Sequence, residues 1–479
     1  MPIRLPAFVA TSCILLLVSV LYLPAGGDPI VPGWPFIIMW NAPTQPCLAS
    51  HNVSLDLEAF DIVVNQNHSL LGPEVVIFYS TKLGLYPYYS QEHGAVNGGL
   101  PQNVSLEDHL VKAQQDLKAA MVDRSFRGVA VVDWEEWRPL WARNWENMTL
   151  YQLMSLKLVH LWHPGWSYRR LKRLAKKQFE AAAKKLMTST LQMALQLSPN
   201  GLWGFYGFPE CYNYGYIKSS QKYTGRCSDE EMQRNDALDW LWRISRALYP
   251  HIYLDRGLKN SQHVGPFVRY RVQEGLRVAA DVPVLPYARI AYTYSMDFLT
   301  QDDLMKTIGQ SAALGASGIV LWGNNDYSRS KESCLAIKGF TEETLAPYLK
   351  NVTAAAVLCS RALCSGNGRC VRRFQDSDVY LHLDPQLFTI RRDPLGKGFA
   401  VHENLSGEKP RRFDDVIIGG SSSGGSRSCL RDGFAISELL NILQMFPPDS
   451  EPLVCSRHQN LITGAPNLHL ILRGGPSST

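Results

Sequence analysis

Short apolar runs alternate with long amphipathic stretches over much of this 479-residue chain. Each run has the length and composition of a buried strand, and the stretches between them have helical length and period. The strand candidates are residues 75–79, 128–132, 202–206, 284–287 and 318–322. This alternation predicts an α/β fold with a parallel sheet. Because the chain is longer than one compact core usually takes, we expect one large domain and a smaller attachment.

The helical stretches carry apolar faces and capping signals. Residues 171–186 place apolar side chains on one face, with basic residues spread around the rest. Ser228 with Glu231, and Thr300 with Asp303, form capping patterns ahead of apolar runs. The candidate strands end in polar or aromatic residues, which favours a closed (β/α) barrel. A doubly wound sheet is the alternative, although the sequence lacks its Gly-rich phosphate motif.

The N-terminus has the pattern of a secretory signal. Arg4 precedes an apolar stretch at residues 13–23, and small residues follow at 24–27. An uncleaved anchor is the alternative, but the stretch is short for a membrane span. We therefore expect residues 1–27 to be a signal peptide. The mature protein would be secreted or lysosomal and would carry no membrane anchor.

Sequons and cysteines also fit the secretory pathway. Six Asn-x-Ser/Thr sites predict glycosylation at Asn52, Asn67, Asn103, Asn147, Asn351 and Asn404. Nine of the 10 cysteines remain after Cys13 leaves with the signal, and they would enter an oxidising compartment. The net charge of +5 weakly favours an anionic partner and is far from that of a nucleic-acid-binding tail.

The apolar run at residues 128–132 leads directly into two acids, in the sequence DWEEWRP of residues 133–139. Alternation along a strand puts Asp133 and Glu135 on one face and Glu136 on the other. The flanking tryptophans form a dry wall that would raise a carboxyl pKa, so Glu135 is the candidate proton donor and Asp133 a charged helper. Such a pair suggests cleavage of glycosidic bonds. Capping and ion pairing at a strand end is the alternative.

Three further segments end apolar stretches in aromatic residues: 201–214, 249–253 and 321–325. Their rings could stack on a ligand, although packing in the core and in turns explains them equally well. Three arginines could hold carboxylates bidentately or form surface ion pairs: Arg138, Arg269 and Arg271. The sequence has no zinc or iron spacing and no P-loop or nucleophile elbow, so we expect neither a metal nor a cofactor.

The sequence around the acid pair resembles the animal hyaluronidases, glycoside hydrolase family 56. The likeness begins at PFIIMWNAPT (residues 35–44) and continues through DWEEWRP (133–139) and GLWGFYGFPECYNY (201–214). It extends over GIVLWG (318–323) and ends at CVRR (370–373). The resemblance implies a distorted, TIM-like (β/α) barrel. It also implies endo-hydrolysis of β-1,4 bonds between N-acetylhexosamine and glucuronate in hyaluronan, and in chondroitin.

The resemblance further implies residue roles. Glu135 resembles the family's general acid/base. Asp133 resembles the residue that orients the substrate acetamido group, which itself attacks the anomeric carbon in a retaining, substrate-assisted mechanism. The residues that match the family's substrate groove are Tyr79, Arg138, Tyr206, Tyr253, Arg271 and Trp322. The cysteine pairs that match the family are Cys47–Cys334 and Cys211–Cys227.

The C-terminal part departs from the family. Cys359-x4-Cys364-x5-Cys370 matches the opening of an EGF-like module, but its closing cysteines are absent. We pair Cys359 with Cys370 and leave Cys364 open. The expected organisation is a catalytic barrel at residues 28–355, a partial EGF-like module at 356–375 and a divergent, partly disordered tail at 376–479. The Ser/Gly-rich run at residues 419–426 lies in that tail, together with Cys429 and Cys455.

Two functional hypotheses follow. The first is a monomeric endoglycosidase that acts on hyaluronan or a related glycosaminoglycan and has no nucleic-acid partner. The second is a catalytically weak or inactive hyaluronan-binding protein. The presence of both Asp133 and Glu135 favours the enzyme.

Overall fold

The computed structural model describes residues 30–120, 122–217, 220–394, 398–404 and 453–456. The predicted signal peptide and the Ser/Gly-rich run lie outside these residues. The strands are β1 (Ile37–Asn41), β2 (Ile62–Val63), β3 (Val75–Tyr79), β4 (Tyr88–Ser90), β5 (Gly94–Val96), β6 (Val129–Asp133), β7 (Leu202–Phe205), β8 (Tyr287–Ala288), β9 (Gly318–Trp322), β10 (Arg369–Arg372), β11 (Phe388–Arg392), β12 (Phe399–Glu403) and β13 (Leu453–Ser456).

The helices surround these strands, and two begin at the predicted caps. They are α1 (Gln45–Ala49), α2 (Leu106–Ala119), α3 (Thr149–Trp162), α4 (Tyr168–Leu197), α5 (Asp229–Asp236), α6 (Asp239–Trp242), α7 (Val264–Val278), α8 (Gln301–Leu304), α9 (Gln310–Leu314), α10 (Lys331–Phe340) and α11 (Ala346–Cys364). The Ser228 hydroxyl accepts from the Glu231 N–H before α5, and Thr300 caps α8 through the Asp303 N–H. These contacts satisfy N–H groups that a helix start leaves unpaired.

Parallel strands curve into a distorted (β/α) barrel. In one arc β3, β6 and β7 pair in that order, and in the other β8, β9, β1 and β2 pair in that order. Isolated parallel bridges join the arcs: Tyr206–Tyr249, Leu248–Val284 and His251–Tyr287. Single bridges replace a continuous ladder at this junction, and in the described chain no strand pairing joins β2 to β3 at the other, so the barrel is distorted. The predicted barrel is confirmed.

Alternate strand residues fill the barrel interior, as a period of two requires. The inner set is buried and includes Ile37, Met39, Val75, Ile77, Val129, Val131, Leu202, Tyr249, Leu285, Tyr287 and Val320. The opposite faces of the strands pack against the helices in a larger cluster. Because Val129 and Val131 belong to the inner set, Asp133 faces the same way. The alternation therefore places an acid at the carboxyl end of the barrel interior.

Disulfides connect segments that lie far apart in the chain. Among the described residues, Cys47 is bonded to Cys334, Cys211 to Cys227, and Cys359 to Cys370. Cys364, which the sequence left open, is disulfide-bonded as well. The first bond joins α1, just after β1, to α10, just after β9. Since β1 and β9 pair directly, this bond ties together the segments that leave two neighbouring strands.

Residues after the last barrel strand pack back onto the barrel. The helix α11 runs without a break to Cys364, so the expected boundary between residues 355 and 356 falls inside a helix. Arg269 of α7 holds the Asp378 carboxylate at 2.8 Å, and Leu381 and Leu383 are buried. The described part of the expected tail therefore covers the barrel as far as β12. No described helix is long and apolar enough to cross a membrane.

Candidate active site

Asp133 ends β6, and Glu135 follows two residues later above the barrel interior. Asp133 is 9% exposed and lies opposite Tyr79 of β3 in the parallel register. Trp134, between the two acids, is buried, and its ring stacks on Tyr86 with centroids 4.6 Å apart. This packing fixes the backbone, so both carboxylates face one cavity as the alternation predicts.

The cavity has a volume of about 250 Å³ and opens at the carboxyl end of the barrel. The residues that line it beside the two acids are Ile77, Tyr206, Tyr253, Tyr287, Arg289, Thr293, Tyr294 and Trp322. A larger cavity of about 510 Å³ lies at the opposite end, around Ile37, Met39 and Gly128. Active sites of (β/α) barrels lie at the carboxyl ends of the strands, so the smaller cavity with its carboxyl pair is the candidate site.

Stacked aromatic rings form one wall of the cavity. The Tyr253 ring lies 6.2 Å from Tyr206 and stacks on Trp322 at 5.8 Å, with 21° between the latter planes. The Trp322 indole N–H donates to the Tyr79 hydroxyl at 3.2 Å. Burial raises the pKa of Tyr206 and of Tyr253 well above the usual value, so both hydroxyls remain hydrogen-bond donors. The wall thus offers ring faces for a sugar and protonated hydroxyls for its polar groups.

The two carboxyl groups hold protons more strongly than isolated acids. Burial, together with the charge of Glu135, raises the pKa of Asp133 to about 8. Desolvation by the surrounding cavity walls also raises the pKa of Glu135, and the nearby Arg138 charge partly opposes this rise. Glu135 is open to the cavity, with 56% of its side chain exposed, whereas Asp133 Oδ1 is buried and has no hydrogen-bond partner among the described residues. The coupled pair therefore retains a proton at pH values where free carboxyls have lost theirs.

A buried ion network supports the loop that carries Glu135. Arg138 donates through Nη1 to the Glu135 carbonyl oxygen and through Nε to Glu210, both at 2.8 Å. Arg143 bonds the other Glu210 oxygen at 2.5 Å and also pairs with Glu231. Burial alone would raise the pKa of Glu210, but the two arginines hold it below the usual value. Glu210 thus stays ionised and fixes Arg138 beneath the acid.

The arginines predicted for the substrate groove differ in their surroundings. Arg138 lies beside Glu135, with 3.8 Å between Nη2 and Oε1. Arg271 is 3% exposed, and it donates to Asn213 Oδ1 at 2.8 Å and to the His251 carbonyl oxygen at 3.1 Å. The structure therefore brings Arg138 to Glu135 and uses Arg271 inside the fold, and the cavity lining includes neither arginine.

Sequence reasoning missed several residues of the site. Tyr287 ends the barrel interior beside Tyr206, with rings 5.2 Å apart, and its hydroxyl accepts from Asn41 Nδ2 at 2.9 Å. Arg289 is 7% exposed, and its guanidinium carbon lies 5.1 Å from the Trp322 ring centroid. Their position at strand ends could have revealed them. Tyr287 is the last residue of the predicted strand 284–287, and Asn41 is the last residue of β1, so both lie at the end of the barrel where active sites form.

Predicted glycosylation sites differ in exposure. Asn52, Asn67, Asn103 and Asn147 are exposed, whereas Asn351 and Asn404 are half-buried. The Asn351 amide oxygen accepts the Leu383 N–H at 2.9 Å. In the described part of the chain, no cluster of three or more His, Cys, Asp or Glu side chains could hold a metal ion.

Comparisons with known proteins agree with this geometry. A sequence model of the family described as hyaluronidase matches residues 25–416. Hyaluronidase-1 of Homo sapiens is 46% identical over 383 residues, covering 79% of this chain and 88% of the relative. Hyaluronidase-2 of Bitis arietans is 45% identical over 387 residues, covering 80% and 84%. The crystal structure of bee venom hyaluronidase in complex with a hyaluronic acid tetramer matches with a TM-score of 0.61 and 32% identity, covering 66% of this chain and 98% of that one.

Proposed function

The chain belongs to the hyaluronidase family of glycoside hydrolases, and from this premise we propose that it cleaves hyaluronan internally at the β-1,4 bonds between N-acetylhexosamine and glucuronate. Related chondroitin chains are a second substrate of the same chemistry. The observation that carries the proposal is the acid pair, Asp133 and Glu135, at the mouth of the barrel beside an aromatic wall.

In the first step, protonated Glu135 donates its proton to the glycosidic oxygen as the bond to the anomeric carbon breaks. The carbonyl oxygen of the substrate's own acetamido group attacks that carbon and forms a cyclic oxazolinium intermediate. In this step the proton that the coupled pair retains is on Glu135, so Asp133 is ionised; it accepts the acetamido N–H and stabilises the positive charge that develops on the ring. The unpartnered Oδ1 of Asp133 supports this role, because a buried acceptor of this kind normally has a donor.

In the second step, the Glu135 carboxylate removes a proton from a water molecule as that water attacks the anomeric carbon. The acetamido oxygen leaves, the acetamide is restored and the new hydroxyl has the original configuration. Glu135 regains its proton and is ready for another turnover. Because the nucleophile belongs to the substrate, a second enzyme carboxylate across the sugar is unnecessary.

Neighbouring side chains orient this chemistry. Tyr206 and Tyr253 keep their protons and can donate to the acetamido oxygen or a ring hydroxyl. Trp322 offers a stacking face, and Tyr79 positions it through the indole N–H. Arg138 holds the Glu135 backbone and limits how far the pKa of that acid rises.

The proposal is tested with hyaluronan and with hyaluronan from which the N-acetyl groups have been removed. We expect new reducing ends and even-numbered oligosaccharides from the first polymer. The deacetylated polymer should be cleaved at least about 100-fold more slowly, because it lacks the attacking oxygen. Binding of hyaluronan without any new reducing ends would favour the inactive binding protein instead. Equal cleavage of both polymers would refute the substrate-assisted step.

The pH dependence should follow the raised pKa values. Turnover needs Glu135 protonated, so activity should persist above the ordinary glutamate pKa of about 4.3 and fall as pH rises through the raised value. The measurement is kcat/KM on hyaluronan from acid to alkaline pH. A basic limb already complete near pH 4.3 in the parent chain would contradict this account.

We further propose that residues 1–27 direct the chain into the secretory pathway and that the mature enzyme is a secreted or lysosomal monomer. Its disulfides and exposed sequons support this route, since disulfides form in oxidising compartments and glycans are added to sequons in the secretory pathway. N-terminal sequencing of the secreted chain, with glycosidase treatment, identifies the cleavage site and the occupied asparagines.

A further inference from the structure

The hairpin between α3 and α4 exposes large apolar side chains at its tip, residues 161–168. Leu161 and Trp162 are 77% and 78% exposed, and Tyr168 is 65% exposed. Leu153, two turns earlier on α3, is 52% exposed. Single exposed apolar side chains are ordinary, but a group of them at one projecting turn marks an interaction surface.

The backbone at this tip is held in place. The His163 and Trp166 rings stack with centroids 3.9 Å apart, and the Arg170 guanidinium lies 3.8 Å above the Trp166 ring. Val159 of α3 and Leu171 of α4 are buried at the base of the turn. Leu161 and Trp162 are therefore displayed to solvent by a packed turn between two helices.

The same hairpin is basic. Residues 147–179 contain seven lysines and arginines and no aspartate or glutamate. The basic residues are all exposed: Lys157, Arg169, Arg170, Lys172, Arg173, Lys176 and Lys177. Among the described residues, the single carboxylate paired with this set is Glu180, 3.9 Å from Lys176. For a chain with a net charge of only +5, this is a concentrated positive surface.

The tip projects on the side of the candidate active site. Helix α4 packs against Trp137 and Trp141, in the loop after β6, through Phe179. From Phe179 it extends 11 residues further to its first residue, which is about 16 Å at 1.5 Å per residue. Its other end leads into β7 at the amino end of the barrel. The tip therefore stands beyond the carboxyl ends of the strands.

We propose that this hairpin docks the protein on anionic lipid membranes. Leu161 and Trp162 would enter the headgroup region, and the basic side chains of α4 would contact the negatively charged headgroups. Exposed leucines favour a lipid partner over a hydrated polysaccharide, because sugars are held by ring faces and polar groups. Docking would hold the catalytic cavity close to the membrane surface, where polymer anchored at a cell is presented.

The test is co-sedimentation of the full secreted chain with vesicles of phosphatidylcholine alone or mixed with phosphatidylserine. We expect binding to the mixed vesicles, weakened by salt. Leu161→Ser with Trp162→Ser, and separately Lys172→Glu with Arg173→Glu, should each reduce binding at least about tenfold. Matched controls are Val111→Ser, 55% exposed on α2, and Arg124→Glu with Arg127→Glu at the amino end of the barrel; these should bind like the parent.

Hydrolysis of short hyaluronan oligosaccharides in solution should be unchanged in every variant, which shows that the fold is intact. As a second measurement, Trp162→Phe should lose the vesicle-induced blue shift of tryptophan fluorescence that the parent shows. Vesicle binding that survives Leu161→Ser with Trp162→Ser would overturn the proposal. The proposal would also be overturned if the parent chain did not bind the vesicles but bound immobilised chondroitin sulfate through the basic residues.

Discussion

Glu135→Gln should reduce kcat on hyaluronan by about 10³-fold, because general acid–base catalysis contributes 10²–10⁴-fold and the amide cannot donate the proton. Glutamine keeps the size of the side chain, so the fold and the affinity for the polymer should change little. The measurement is the rate of formation of reducing ends, together with hyaluronan binding by the inactive variant. Retained binding with lost turnover would separate the proton transfer from substrate recognition.

The adjacent Glu136→Gln is the matched control. Glu136 is half-buried and follows Glu135 directly, but the cavity-lining residues do not include it. We expect its activity to stay within roughly twofold of the parent, as for a substitution outside the reacting groups. If Glu135→Gln retained the activity of the parent, or if both variants lost activity equally, the assigned role of Glu135 would be wrong.

Glu210→Ala should destabilise the fold by about 3–5 kcal/mol, because it removes the carboxylate that the buried Arg138 guanidinium hydrogen-bonds and one of the two that pair with Arg143. The Arg138 and Arg143 side chains are only 14% and 6% exposed, and each bonds a different Glu210 oxygen. A second effect follows at the acid. Without Glu210, the Arg138 charge acts on Glu135 alone, so the pKa of Glu135 and the basic limb of activity should both move to lower pH.

Urea denaturation with disulfides intact measures the first effect, and the pH profile measures the second. Glu230→Ala is the control, since Glu230 also pairs with an arginine but its side chain is 72% exposed. That variant should lie within about 0.5 kcal/mol of the parent. A Glu210→Ala protein as stable as the control would show that the network contributes little. A pH profile of Glu210→Ala equal to that of the parent would show that Glu210 does not affect the pKa of Glu135.

The features that follow from local pattern were predictable. Period-two alternation in an apolar strand places Asp133 over the barrel interior. Trp134 and Trp137, which were expected to form a dry wall around Glu135, pack instead in the larger cluster against the helices, and the Glu135 side chain is 56% exposed. Both capping patterns, at Ser228 and Thr300, form in the structure. These features depend on residues a few positions apart. The backbone geometry of a strand or of a helix start fixes where residues at that spacing lie relative to one another.

Features that depend on distant pairing were not predictable in the same way. Nothing near Arg138 in sequence reveals that its carboxylate is Glu210, 72 residues later, and not a group on the substrate. The same holds for Arg269, whose partner Asp378 lies 109 residues away in the expected tail. The local sequence around an arginine is the same whether its partner is a carboxylate of the protein or of the substrate. Only the folded structure shows how deeply the arginine is buried and which group it pairs with.

The covalent tie between Cys47 and Cys334 has a consequence for synthesis. Strand β1 emerges early from the ribosome, but its barrel neighbour β9 begins only at Gly318, and Cys334 follows Cys47 by 287 residues. Until then the edge of β1 that will face β9 has no native partner, and an unpaired apolar strand edge invites aggregation. On the proposed secretory route, the nascent chain should therefore depend on lumenal chaperones and disulfide-forming enzymes until almost the whole catalytic unit has been made.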